Sequence, residues 1–457
     1  MKQISIIFVF TVLMGCFQMV STAPVIEQAA RQTAVSFMNR QHNFQNRSVA
    51  FEQLTRVNWS YNHLYAFNIQ GGGFIIVSDD DRTMPVLAYS LTGELNPADM
   101  PEAMVYMLQR FDNQLDAISK GAAPQPYHPQ RNLRSVAPLI TSTWKQTSTG
   151  GVSYNALCPV DSSLTSMGGH PSVGCVALAL AQVMRYWQWP VHGIGSNCYS
   201  YNGAYSCWRY DTLCADFGST YYDWQNMPDR LYDTSAIEER LAVATLAYHC
   251  GVAMNMRYNS DCQGSSSSNP NHQCYAALRH FGYSQDAMVE SRSNYSDELW
   301  ISMLKTELDM NRPVLYTGQS LLDPDQGTYG GGHAFILDGY DENDMFHVNW
   351  GWGGACDSYF AVNSLTPVYY YNFSHSEQAI FNFHPADTSA RGAFVEMLYN
   401  ETLDTNSVQL NDMIHGQNEL VNIGDTIADL YVAQAAYTNT DFSFVKWLDV
   451  QHLTIPA

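Results

Sequence analysis

The chain has 457 residues, 46% of them hydrophobic and 14% charged, with a net charge of −21. That length exceeds one ordinary domain, and the apolar content excludes a disordered chain and predicts a large core. The acidic balance argues against nucleic acid or an anionic membrane surface as partner, and no stretch beyond the first residues has the length and purity of a membrane helix.

Lys2 followed by the apolar run Ile4 to Met14 predicts an export signal over residues 1–23, because the run is too short to span a bilayer. Cleavage near Ser21-Thr22-Ala23 would release a soluble protein. Leu13-Met14-Gly15-Cys16 instead resembles a lipoprotein box, which would leave a lipid anchor on Cys16. Both endings stay open.

Residues 24–134 read as an α+β unit and a linker. Val25 to Asn39 has helical apolar spacing, and three β-rich runs follow at 63–69, 73–78 and 85–90. A second helix, from Pro101 to about Ile118, opens with Pro101 and Glu102, as helix starts prefer. The polar, proline-containing stretch 121–134, with Arg131 and Arg134, reads as an exposed linker open to proteolysis. From 135 to 385 the pattern predicts helices early and strands around Val314, His333, His347 and Phe360; residues 386–457 alternate short β-like runs with polar turns.

The chemistry concentrates in the long middle region. Cys175 follows Ser172, a credible helix cap, and Val176, Leu180, Val183, Met184 and Trp187 recur at helical spacing until Pro190. Cys175 would then lie in a first turn, where the helix dipole favours a thiolate. A buried, inert cysteine fits this segment equally well. His333 follows three glycines and opens an alternating strand, a placement that suits the imidazole partner of a thiolate. In His347-Val348-Asn349-Trp350-Gly351-Trp352-Gly353-Gly354, the Asn349 amide oxygen could fix the His333 tautomer while Trp350 shields that bond. Gln146, 29 positions before Cys175, could donate to an oxyanion together with the Cys175 backbone N–H. Asp338 is set aside as the orienter because its strand parity differs from that of His333. The glycine-rich Gly327 to Gly332 segment reads as a loop beside the substrate, a mobile lid or a plain turn.

Besides Cys16 and Cys175 there are eight cysteines, which in an exported chain suggest disulfides and stapled loops between 198 and 274, with on the order of a hundred possible pairings. No ligand spacing suggests a metal, and no cofactor is expected.

The order Gln146, Cys175, His333, Asn349, with Gly174-Cys175-Val176-Ala177 and the His347-to-Gly354 motif, resembles the streptopain family of papain-like cysteine peptidases over about residues 24–385. The resemblance implies a papain-like α+β fold and a peptidase made as a zymogen. Residues 24–134 would be the propeptide and activation linker and 135–385 the peptidase; residues 386–457 lie beyond the resemblance and read as a β-rich accessory segment. It assigns Cys175 as nucleophile, His333 as general base and acid, Gln146 as oxyanion donor, and Asn349 with Trp350 as orienters. The implied partners are protein or peptide substrates and the chain's own propeptide, with activation between about 120 and 138. The cysteine-rich region 196–275 goes beyond the family pattern. A transglutaminase-type acyltransferase, or a non-catalytic inhibitor or adhesin, would use the same residues differently.

Overall fold

The computed structural model describes residues 24–41, 48–123, 134–149, 152–202, 209–323, 328–362, 377–386, 395–403, 416–422, 428–437 and 444–455. The expected signal, Cys16, Arg131 and most of the linker lie outside these residues.

The N-terminal module runs α1 (Glu27–Met38), β1 (Leu54–Arg56), β2 (Leu64–Ile69), β3 (Phe74–Ser78), β4 (Val86–Ser90) and α2 (Glu102–Ser119). Both helices and the three longer strands fall where the periodicity places them; β1, at three residues, is too short to show a period. After the hairpin β5 (Ser148–Thr149) and β6 (Val152–Ser153), a helical lobe follows. It holds α3 (Cys175–Trp187), the hairpin β7 (Ser196–Asn202) and β8 (Arg209–Asp216), α4 (Ile237–Ala253) and α5 (His272–Phe281). The sheet lobe comprises β9 (Met288–Ser291), α6 (Asp297–Asp309), β10 (Val314–Asp323), β11 (Thr328–Tyr340), β12 (Met345–Asn349), β13 (Ser358–Ala361) and β14 (Gln378–Phe381). The tail forms two separate two-stranded antiparallel sheets, β15 (Val395–Leu403) with β16 (Gly416–Asn422) and β17 (Ala428–Tyr437) with β18 (Phe444–Ile455).

The module and the sheet lobe share one ten-stranded sheet, ordered β1-β2-β3-β4-β13-β12-β11-β10-β14-β9. The junction is antiparallel, with Tyr359 opposite Tyr89 and Phe360 opposite Ala88. Tyr89 also stacks on Tyr359 at 5.2 Å between ring centroids and donates to Asp341 Oδ2 at 2.9 Å.

Side chains alternate across β10 and β11, as strand geometry requires. Val314, Tyr316, Phe335 and Leu337 join the core beneath α2, whereas Leu315, Ala334 and Ile336 join the core beneath α3. Both faces of these central strands are therefore buried, one by the N-terminal module and one by the helical lobe. The segment expected as a loop from Gly327 to Gly332 is strand from Thr328 onward, because Gly332 pairs with Gln319 and His333 with Gly318. Gly327 lies outside the described residues.

The cysteines correct a second expectation. Cys198 and Cys214 form a disulfide across the β7–β8 hairpin, and Cys262 is also disulfide-bonded. Cys158, Cys250, Cys274 and Cys356 are thiols in this structure. The first three are buried in the apolar core of the helical lobe, where a thiol packs as a small hydrophobe. Burial pushes the Cys158 thiol up to about 12, so it stays protonated and inert.

Candidate active site

Cys175 is the first residue of α3, an apolar helix whose Val176–Met184 stretch is buried throughout. The cap residue is Gly174 at φ 91°, not Ser172. A side chain at 174 would be strained by that φ and would meet the Met256 thioether at 3.0 Å. Ser172 instead joins the loop over the helix start: its N–H donates to Gly264 O at 2.7 Å and its carbonyl accepts from Ser266 Oγ at 2.7 Å. Cys175 thus sits at the positive end of a 13-residue helix, as anion stabilisation needs.

Gln146 reaches the same place through the backbone. Its carbonyl accepts from Val173 N at 2.8 Å, pinning the Gln146 segment two residues before the cysteine. His333 arrives from β11. Cys175 and His333 line two adjoining cavities. One, of about 520 Å³, is walled by Thr317, Gln319, Arg292 and Glu377. The other, of about 330 Å³, is walled by Lys145, Gln146, Gln263 and Trp352. Three of the five residues singled out from sequence, Cys175, His333 and Gln146, therefore border one cleft.

The remaining two are placed differently from expectation. The acceptor found at His333 Nε2 is the Trp350 carbonyl, at 3.0 Å. The Asn349 amide oxygen accepts from Gly351 N at 3.1 Å and Gln182 Nε2 at 3.2 Å, and its Nδ2 donates to Ser142 O at 2.9 Å. Asn349 therefore holds the turn that presents the Trp350 carbonyl. The Trp350 indole is fully buried against Phe335 and Phe360, with Nε1 donating to Cys356 O at 3.0 Å. The indole that does line the cleft is Trp352.

Gln182 is a positioning residue that sequence reasoning passed over. It lies seven residues after Cys175, two turns along the same helix, and is buried. Its Oε1 accepts from Ser142 Oγ at 2.9 Å and Trp144 N at 3.2 Å, while its Nε2 donates to Asn349. One side chain thus ties the Gln146 segment and the Asn349 turn to the helix bearing Cys175. The available signal was an amide within an otherwise apolar buried run, since such a group must be hydrogen-bonded.

Behind the His333 carbonyl contact lies a partly buried acid. Asp357 Oδ1 accepts from Trp350 N at 3.0 Å, and burial pushes the Asp357 carboxyl from 3.8 up to about 7. Nearby, Asp338 Oδ1 meets His347 Nδ1 at 2.6 Å and Asp338 Oδ2 accepts from Ile140 N at 2.9 Å. Burial works against the charged His347 imidazole, but the Asp338 carboxylate outweighs it and raises His347. Because the folded-state value of Asp357 is raised, its contribution favours folding below the ordinary carboxylate range and is lost as pH climbs through 7. Asp357→Asn is expected to stabilise the chain by about 1–2 kcal/mol at pH 8.5 and by much less at pH 5. Urea midpoints of the two chains at both pH values check this; a pH-independent difference would refute the assignment.

The Peptidase C10 family profile matches residues 144–360, and the Spi protease inhibitor profile matches residues 22–115. Streptopain of Streptococcus pyogenes is 30% identical over 361 residues, covering 75% of this chain and 85% of streptopain. The thiol protease/hemagglutinin PrtT of Porphyromonas gingivalis is 28% identical over 414 residues, covering 85% of this chain and 45% of that protein. Among solved structures, a fragment of Prevotella intermedia prointerpain A superposes with a TM-score of 0.60 at 30% identity, covering 72% of this chain and 98% of the fragment. With a cleft lined by Cys175 and His333 and an inhibitor-type module joined to the same sheet, the chain belongs to the Peptidase C10 family of streptopain-like cysteine endopeptidases, with its own inhibitory propeptide in place.

Proposed function

We propose that Cys175 is the nucleophile and His333 the general base and acid of this endopeptidase. Gln146 and the Cys175 backbone N–H would form the oxyanion hole, and Asn349 and the Trp350 carbonyl would orient His333. The observation that carries the reading is the convergence of Cys175, His333 and Gln146 on one cleft, with the cysteine at a helix N-terminus. The thiolate attacks a peptide carbonyl, the oxyanion accepts from Gln146 and the backbone, and His333 protonates the departing amine. Water, deprotonated by His333, then releases the acyl group from sulfur.

The proposal extends to the chain's life history. Residues 1–23 direct export, with Cys16 either removed or lipid-modified. Residues 24–134 are the propeptide and linker, 135–385 the peptidase and 386–457 an accessory β segment. Activation cuts between about 120 and 138, and nucleic acid is not a partner. Among the described residues no helix is long and apolar enough to cross a membrane.

Brief treatment of the linker-cut chain with iodoacetamide tests the reading. Cys175 is half-buried and at a positive helix end, whereas Cys158, Cys250 and Cys274 are buried. Loss of casein hydrolysis in proportion to alkylation at Cys175, mapped by peptide mass, is expected. Full activity after complete labelling of Cys175 would remove it as nucleophile.

A further inference from the structure

The cleft half that holds Gln146 contains one feature the hydrolytic chemistry leaves unused. Lys145, directly before the oxyanion-side glutamine, lines the 330 Å³ cavity with Cys175 and His333. No aspartate or glutamate lines that cavity among the described residues. Lys145 also has no carboxylate within ion-pairing distance among them, although the chain carries 43 acidic residues against 22 basic ones. The lysine is held in place. Its backbone bridges Trp352 on the opposite wall, and a Cβ at Gly353 would come within 3.5 Å of its Cδ, so the aliphatic stem runs along that glycine turn. A second cation, Arg230, lies near Lys145 but does not line the cavity. Thr143 N donates to Asp229 O at 2.8 Å and the Trp144 indole donates to Pro228 O at 2.9 Å, which fastens the segment leading to exposed Arg230 beside Lys145. Arg230 is likewise without an ion-pair partner among the described residues. Burial pulls the Lys145 ammonium down and Arg230 adds to the effect, so a carboxylate in this cavity would relieve both costs. The other half of the cleft differs: there Glu377 is already held by Arg292 at 3.1 Å.

We propose that Lys145 is a specificity-determining residue, which draws a substrate carboxylate into the half of the cleft lined by Gln146 and Trp352. The carboxylate is an aspartate or glutamate side chain near the scissile bond or the free carboxyl end of a short peptide. This rests on Cys175 being the nucleophile. A cleft cation with no internal counter-ion selects charge at the encounter and binding stage, so the effect falls on KM more than on kcat.

The test uses linker-cut enzyme and quenched peptides that differ by Glu, Gln or Lys at each of two positions on either side of the cleaved bond, each made with a free and an amidated C-terminus. Wild type is expected to prefer Glu over Lys about tenfold in kcat/KM at one or more positions, Lys145→Gln to bring that ratio near one, and Lys145→Arg to keep most of it. A preference that follows the side chain identifies an acidic residue as the ligand; one that vanishes on amidation identifies the chain end. An unchanged ratio in Lys145→Gln, or no preference in wild type, overturns the proposal while turnover persists. Absence of turnover on every peptide instead overturns the nucleophile assignment beneath it.

Discussion

Cys175→Ala is expected to lower the turnover of denatured casein by about 100,000-fold or more while moving the unfolding free energy by less than about 1 kcal/mol. The two effects separate because the side chain is half-buried at the start of α3 and the helix core begins with Val176. His333→Ala is expected to cost a similar factor, and the double variant little more, since nucleophile and base act as a unit. The linker-cut protein is the right material, because α2 of the inhibitor-type module contacts Glu377 on the cavity wall and latency in the intact chain would mask the comparison. Substantial casein hydrolysis by purified Cys175→Ala protein would end the assignment.

The second large effect concerns latency. Arg110 of α2 places Nη1 at 2.8 Å from both carboxylate oxygens of Glu377, and the side chains are 3% and 4% exposed. Glu377 also accepts from Arg292 and from the Tyr316 hydroxyl, and it borders the cavity that contains Cys175. Removing one partner of a buried pair leaves a charge without compensation; because Arg292 remains, the cost belongs at the lower end, about 3 kcal/mol. In chain cut at the linker, Arg110→Met should therefore weaken propeptide binding about 100-fold. Release measured by size exclusion, in a Cys175→Ala background, checks it. Arg110 lies in the propeptide, so the peptidase lobe is chemically identical in both samples. Circular dichroism of the released module separates a folding defect from a lost contact. Binding within about threefold of the parent, with the module folded, would show that the ion pair does not hold the zymogen.

Much of the molecule is legible in the sequence because local periodicity survives folding. The helices α1, α2 and α3 and the strands β2 to β4 follow from apolar spacing of 3.6 and 2, and those spacings say which faces are buried. The positions of Cys175 on a helix start and His333 on a strand follow by the same reasoning, as does the exclusion of Asp338, which the structure pairs with His347.

What the chain could not reveal by itself depends on which surfaces meet. The β4–β13 junction, formed between Ala88 and Tyr89 and residues some 270 positions away, has no local signature, since edge pairing requires only extended backbone on both sides. The cap at Gly174 has no local signature because the room for a side chain there is closed by Met256 and Ser266, more than 80 positions away, and the serine nearby offers a better local motif. Which cysteines form disulfides depends on Cβ distances that only the packed lobes define, and Cys158, Cys250 and Cys356 have no disulfide. The amino-acid sequence by itself supplied the candidate groups: a cysteine on a helix start, an imidazole and an asparagine on strands, and a glutamine in the segment before them. Tertiary structure alone decided that the Trp350 carbonyl meets His333, that Trp352 faces the cleft, and that Gln182 joins the walls. Hydrogen bonds and cavities belong to pairs of segments, and pairing is a property of the folded whole.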